Sequence, residues 1–233
     1  MVASIIGKMR RRKSPKGQIV HAVRDGFGLI QVIDTEHTRS LHFGTRVEQS
    51  RLYFNAPLTL AFEYQVALME IILKWAEKHP VRQALTLGLG GGTLATQLHH
   101  LFPKCRQTAV ELRQAVIDIA HRYFFLPDTP AIQTLSDDAF MYVLQHSEAL
   151  SYDLVVVDLY DSDSMPTEFT DPLFLQALAQ ITRPDGLILF NLWKGTPEKT
   201  LKVIRYWETQ NHRRMALREI QSSRNLILAV EPN

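Results

Sequence analysis

Three observations on this chain of 233 residues predict an α/β fold, a doubly wound sheet that ends in an antiparallel hairpin and is preceded by a small antiparallel sheet. Short apolar runs alternate with helical patterns between residues 83 and 158, as parallel strands joined by crossover helices do. Four glycines crowd positions 88–92, directly after the first of these runs. The last two apolar runs, Met215 to Ile220 and Asn225 to Val230, stand only four residues apart, too close for a helical crossover, so they pair antiparallel.

Taken in order, the chain opens on a basic arm. Residues 1–16 hold six basic side chains, Lys8, Arg10, Arg11, Arg12, Lys13 and Lys16, and no acid, so the net charge of +2 conceals a remainder at about −4. Such an arm is a solvated, flexible terminus or touches nucleic acid or acidic lipid. No aromatic residue is interleaved with its charges, which leaves base stacking unsupported and disfavours a nucleic-acid partner without excluding one. Residues 17–56 form the small β subdomain. Its strands are Gln18 to Val23, Gly28 to Ile33 and Arg39 to Phe43, with Asp25-Gly26 and Asp34-Thr35 as turn signals. A sheet this small buries no core alone and must rest on the larger domain, residues 57–233.

Pro57 opens a helix expected over 58–78, with Leu60, Tyr64, Ala67, Leu68, Ile71, Ile72 and Trp75 on one face, and His79-Pro80 ends it. Strands are then expected at 83–88, 106–111, 131–135 and 153–158, with helices at 93–102, 113–124 and 138–146 between them. Tyr152 to Asp158 is an apolar strand closed by carboxylates, as a central parallel strand is. A helix near 172–182, the turn Pro184-Asp185-Gly186, a strand at 187–191 and a helix at 198–209 lead to the closing hairpin. A mostly parallel sheet with that hairpin is the Rossmann-like architecture of class I methyltransferases.

In such a sheet a ligand lies outside the carboxyl ends of the strands. Gly88, Gly90, Gly91 and Gly92 form a turn that brings backbone close to a ligand at a helix N-terminus. The dinucleotide fingerprint needs glycine at position 93, where the chain has Thr93, and the G-x-G-x-G spacing at 88, 90 and 92 points to a nucleoside sulfonium rather than NAD. Glu111 ends the next strand, 21 residues beyond Gly90, where this fold grips ribose hydroxyls. Further along stand Asp137-Asp138, Asp158, Asp161 and Asn191. Asp137 is either the cap of a helix starting at Asp138 or part of the pocket. Asp158 closes so apolar a strand that a carboxylate there needs a reason.

Composition bounds the rest. Hydrophobic content of 45% with 21% charged residues is that of a globular protein. The single cysteine, Cys105, excludes an internal disulfide, and no His/Cys cluster has zinc spacing, so no metal is expected. No apolar stretch reaches membrane-helix length and the N-terminal order is the reverse of a signal peptide, which implies a cytoplasmic protein without a membrane partner.

Over residues 17 to about 195 the chain resembles the spermidine synthase family of polyamine aminopropyltransferases. Phe27-Gly28-Leu29-Ile30-Gln31-Val32-Ile33-Asp34 is similar to the family's N-terminal hairpin, and Phe62-Glu63-Tyr64-Gln65 to its Phe-x-Tyr-Gln. Asp137-Asp138-Ala139-Phe140 resembles its adenine-pocket turn, and Asp158-Leu159-Tyr160-Asp161 its Asp-Ser-x-Asp catalytic loop. The resemblance implies that Asp138 and Ala139 hold adenine, Asp158 is the catalytic aspartate and Asp161 anchors the acceptor amine. Tyr64, Gln65 and Tyr160 then shape the acceptor pocket, with Asn191 in the place of a glutamine. The implied co-substrate is decarboxylated S-adenosylmethionine or S-adenosylmethionine, the partner a small-molecule amine, and the expected assembly a homodimer.

The departures carry information too. Gly91 stands where the family has an aspartate that meets the ammonium of the decarboxylated donor. In its absence, a run of exposed amides is expected to welcome the carboxylate of ordinary S-adenosylmethionine. Val66 replaces a glutamate, Pro57-Leu58-Thr59-Leu60-Ala61 an acidic approach, and Ser162 a proline. Three functions therefore stay open: aminopropyl transfer, S-adenosylmethionine-dependent methyl transfer, and a catalytically silent binding protein.

Overall fold

The computed structural model describes residues 17–149, 151–160 and 165–233. The basic arm and Asp161 lie outside the described residues. The first four strands, β1 (Gln18–Asp25), β2 (Gly28–Asp34), β3 (Thr38–His42) and β4 (Glu48–Tyr53), form an antiparallel meander in chain order. Its inner face, Ile30, Val32, Leu41 and Leu52, lies against Val116, Ile119 and Phe124. The small sheet thus completes its core on the larger one.

The helix α1 (Glu63–Ala76) leads into the second sheet, whose elements are β5 (Gln83–Leu87), α2 (Thr93–Leu101), β6 (Arg106–Glu111), α3 (Gln114–Tyr123), β7 (Ile132–Ser136), α4 (Ala139–His146) and β8 (Tyr152–Val157). They are followed by α5 (Pro172–Ile181), β9 (Thr182–Trp193), α6 (Pro197–Glu208), β10 (Arg213–Glu219) and β11 (Asn225–Pro232). The strand order is β10-β11-β9-β8-β5-β6-β7, with β9-β8-β5-β6-β7 parallel and β11 antiparallel to both its neighbours. This is the Rossmann-like α/β sheet with a closing hairpin. No helix among the described residues is long and apolar enough to cross a membrane.

Successive side chains of a strand point to opposite faces, so the apolar runs feed two cores at once. Leu85, Val155, Val157, Ile188 and Phe190 meet α4, α5 and α6, while Ala84, Leu154, Val156, Leu187 and Leu189 meet α1 and α2. The chain runs outward from β5 to β7 and then crosses back to β8 on the other side of β5. A crevice opens at that reversal, between the ends of β5 and β8.

Three expectations shift. The first helix begins at Glu63 rather than at 58, because Phe62 is extended (φ −106°, ψ 133°) and Leu60 reaches the α1 core from non-helical chain. Pro184-Asp185-Gly186 lies inside the 12-residue β9, and the irregularity it brings falls as a register shift opposite Tyr152 and Leu154. Asp138, not Asp137, is the cap of α4, its Oδ1 accepting from the amides of Phe140 and Met141 at 2.8 and 3.1 Å.

Candidate active site

Leu87 and Val157 are register partners, so the chain leaves β5 and β8 side by side. The amide of Asp158 donates to the carbonyl of Leu87 at 2.9 Å, and a Cβ on Gly88, at φ +88°, would strike the Asp158 carbonyl. Glycine is required there because two backbones touch. Gly90 and Gly92 complete the turn into α2, which starts at Thr93.

The turn uses its amides internally. Gly88 donates to Val110 O at 2.8 Å, Leu89 to Glu111 Oε2 at 3.1 Å, Gly91 to Ser50 Oγ at 2.7 Å and Gly92 to Leu89 O at 2.9 Å. The amide expected to be exposed at Gly91 is therefore already bonded within the protein, as are those of Gly88, Leu89 and Gly92. A Cβ on Gly91 would sit 2.8 Å from the Phe124 ring and 2.9 Å from Ser50 Cβ, so the side-chain space at this position is already filled.

Glu111 is 9% exposed at the end of β6, with Oε2 on the Leu89 amide and Oε1 on the Arg113 amide at 3.1 Å. Burial pushes its carboxyl up from the ordinary range, and the amides of Leu89, Arg113 and Gly90 oppose that. Each of its oxygens keeps a second lone pair for a hydroxyl. Asp138 is exposed, and capping occupies its Oδ1 while Oδ2 stays available; Ala139 behind it is buried.

Asp158 is the hub of the crevice. Its Oδ2 accepts from the Tyr64 hydroxyl at 3.1 Å and its Oδ1 from Asn191 Nδ2 at 2.8 Å. Burial pushes the carboxyl up and the two donors pull it back. The Tyr64 phenol is driven well above its usual value by burial and then by the neighbouring Asp158 charge, which keeps it a donor. Tyr160 donates to Asn191 O at 2.9 Å, and its phenol is raised for the same two reasons. Gln65, one residue beyond Tyr64, donates through Nε2 to Thr93 Oγ1 at 3.3 Å, and its Oε1 is buried with no partner among the described residues.

The glycine turn, Glu111, Tyr64, Gln65, Asp158, Tyr160 and Asn191 thus gather at the mouth between β5, β6, β8 and β9, and Asp138 stands at the start of α4 beyond Glu111. Four residues to which the sequence assigns no role support them: Ser50, Thr93, Arg113 and Asn225. Asn191 interrupts the apolar run of β9, whereas Asn225 stands at the start of the β11 run, where a polar residue is unremarkable and no sequence signal marks it.

The spermine/spermidine synthase domain profile matches residues 61–219. A polyamine aminopropyltransferase of Neisseria meningitidis is 28% identical over 175 residues, covering 74% of this chain and 64% of that protein. An eEF1A lysine and N-terminal methyltransferase homolog of Drosophila melanogaster is 28% identical over 174 residues, covering 70% of this chain and 24% of that one. The chain therefore spans less than two thirds of the length of these relatives, both of which are transferases. Among solved structures, human methyltransferase-like protein 13 in complex with SAH has a TM-score of 0.67 at 22% identity, over 74% of this chain and 83% of that one.

Proposed function

Because the chain belongs to the spermine/spermidine synthase family, we propose that it moves a group from a nucleoside sulfonium to an amine nitrogen, with Asp158 as the base. The observation that carries this is the Asp158 carboxylate, held by Tyr64 and Asn191 beside the glycine turn at the strand reversal. An amine that arrives protonated has no lone pair, so Asp158 takes the proton. The freed nitrogen then attacks the carbon next to sulfur, the C–S bond breaks, and its electron pair leaves with sulfur as a neutral thioether. A carboxyl raised by burial suits this role better than an ordinary one.

Glu111 takes the ribose hydroxyls and Asp138 the adenine amino group through Oδ2. Tyr64, Gln65 and Tyr160 wall the acceptor, and Asp161 keeps the anchoring role that the resemblance gives it. The family match supports an aminopropyl group and a small polyamine acceptor. Gly91 favours a second reading, methyl transfer from S-adenosylmethionine, since the family's aspartate is missing and Phe124 and Ser50 fill its place. The homodimer and the cytoplasmic setting belong to the same proposal, and sedimentation reads the first.

Incubation with each labelled donor separately, against diamines and against a peptide with a free N-terminal amine, tests the proposal. Aminopropylated diamine supports the first reading and a methylated amine the second. Binding of both donors with transfer from neither overturns the proposal in favour of a silent binding protein.

A further inference from the structure

Asn225 opens β11, away from the substrates in the proposed roles, and stands in a line of hydrogen bonds that leads to Asp158. Ser223 Oγ donates to Asn225 Oδ1, Asn225 Nδ2 donates to Asn191 Oδ1 at 2.7 Å, and Asn191 Nδ2 donates to Asp158 Oδ1 at 2.8 Å. Asn191 is 2% exposed and Asn225 8%, so water does not compete for these groups. A buried amide can turn over and exchange its nitrogen for its oxygen at little cost in shape. Only one orientation of Asn191 satisfies both neighbours, because Asn225 offers it an N–H and Asp158 offers it an oxygen. Ser223 closes the line on the far side of Asn225, its Oγ donating to Oδ1 and accepting from the Asn225 backbone amide at 3.3 Å. With Asn191 reversed, two acceptor oxygens would face each other at hydrogen-bond distance, in a site too dry to screen them.

The same hairpin also contacts the helix that carries the second donor. The amide of Ser222 donates to Glu63 Oε2 at 3.1 Å, which ties the β10–β11 turn to the first turn of α1, next to Tyr64. The β10–β11 hairpin thus bonds to Asn191 through Asn225 and to the helix that carries Tyr64 through Ser222, and in the proposed roles it touches neither the nucleoside nor the amine.

We propose that Asn225 is a positioning residue: by fixing the direction of the Asn191 amide, with Ser223 behind it, it presents Asp158 with a donor at all times and so keeps the base ionised and aimed. The inference rests on the reading of Asp158 as the base. Among the described residues the titratable groups bearing on Asp158 are the phenols of Tyr64, from α1, and Tyr160, from its own segment, and both stay protonated over the range concerned.

The test is a pH titration of the Asp158 carboxyl by difference infrared spectroscopy, with Asp158→Asn identifying the band and calorimetric binding of S-adenosylhomocysteine reporting an intact site. Asn225→Leu removes the N–H that orients Asn191, and Asn225→Asp replaces it with an acceptor that forces the amide over. The midpoint is expected to rise in both, by about one pH unit where the donor to the carboxylate is lost, and less in Ser223→Ala. The acid limb of the transfer rate should move with it, so that below the midpoint kcat falls about tenfold for each pH unit by which the midpoint has risen, while KM for the donor stays put. Should Asn225→Leu lose S-adenosylhomocysteine binding through misfolding, Asn225→Asp and Ser223→Ala carry the test. An unmoved midpoint in Asn225 variants that still bind S-adenosylhomocysteine overturns the proposal. A moved midpoint together with full transfer by Asp158→Asn keeps the relay and removes Asp158 as base.

Discussion

Glu111 is a carboxylate that two backbone amides hold in place and that burial pushes up, so a hydroxyl that bonds to it exchanges a partly satisfied acceptor for a satisfied one. Glu111→Ala should weaken S-adenosylhomocysteine binding by roughly 1.5–3 kcal/mol, the scale of a hydrogen bond to a charged group, with an unchanged far-ultraviolet spectrum. Calorimetry that finds equal affinity would reduce Glu111 to a brace for the glycine turn. Glu111, Asp158 and Asn191 could be read from the sequence because polar residues at the ends of apolar strands cannot be explained by burial. Ser50 could not, since its bond to the Gly91 amide joins the small sheet to the glycine turn across 41 positions, and nothing local to either residue announces it. The Gly91 amide differs from expectation for the same reason: backbone donors look free until the chain that satisfies them is in place.

At the level of elements, periodicity located the helices and strands of the large sheet: the central strands bury unbroken apolar sets, and the largely unburied β10 was found by its short separation from β11. It missed β4, where only Ser50 and Leu52 of Glu48–Tyr53 are buried, and a serine does not read as a core position. The end of α3 shows a different kind of constraint. Phe125 has φ +60° and is 56% exposed, while the amides of Phe124 and Leu126 both close on Ala120 O at 3.1 Å. That is the left-handed helix terminus glycine ordinarily supplies, and a residue with a Cβ costs about 1–2 kcal/mol there. Phe125→Gly loses little packing and should raise stability by up to about 1 kcal/mol, part of the relief being offset by the looser unfolded chain. Chemical denaturation decides it, and a destabilised variant would mean that the Phe125 ring makes contacts worth more than the strain.

For the molecule as a whole, two arginines fasten the small sheet to the large one. Arg113 makes a forked pair with Asp25 at 2.8 and 2.9 Å, and Arg39, paired with Asp34, donates to Tyr123 O at 2.8 Å. The crevice works against stability instead. A carboxyl raised in the folded state binds its proton more tightly there than in the unfolded chain, so stability falls as pH rises from the ordinary value through the raised one. Asp158→Asn should therefore melt above the parent at neutral pH, with the gap closing as pH drops towards about 3.9. A variant that melts below the parent at neutral pH would show that Asp158 steadies the crevice rather than strains it. The same variant gives the most direct test of the central claim, that Asp158 takes the proton of the acceptor amine. Single-turnover transfer by Asp158→Asn, measured with S-adenosylhomocysteine affinity as the control, should be slower than the parent by roughly 10²–10⁴ with affinity unchanged; an unaltered rate would contradict it.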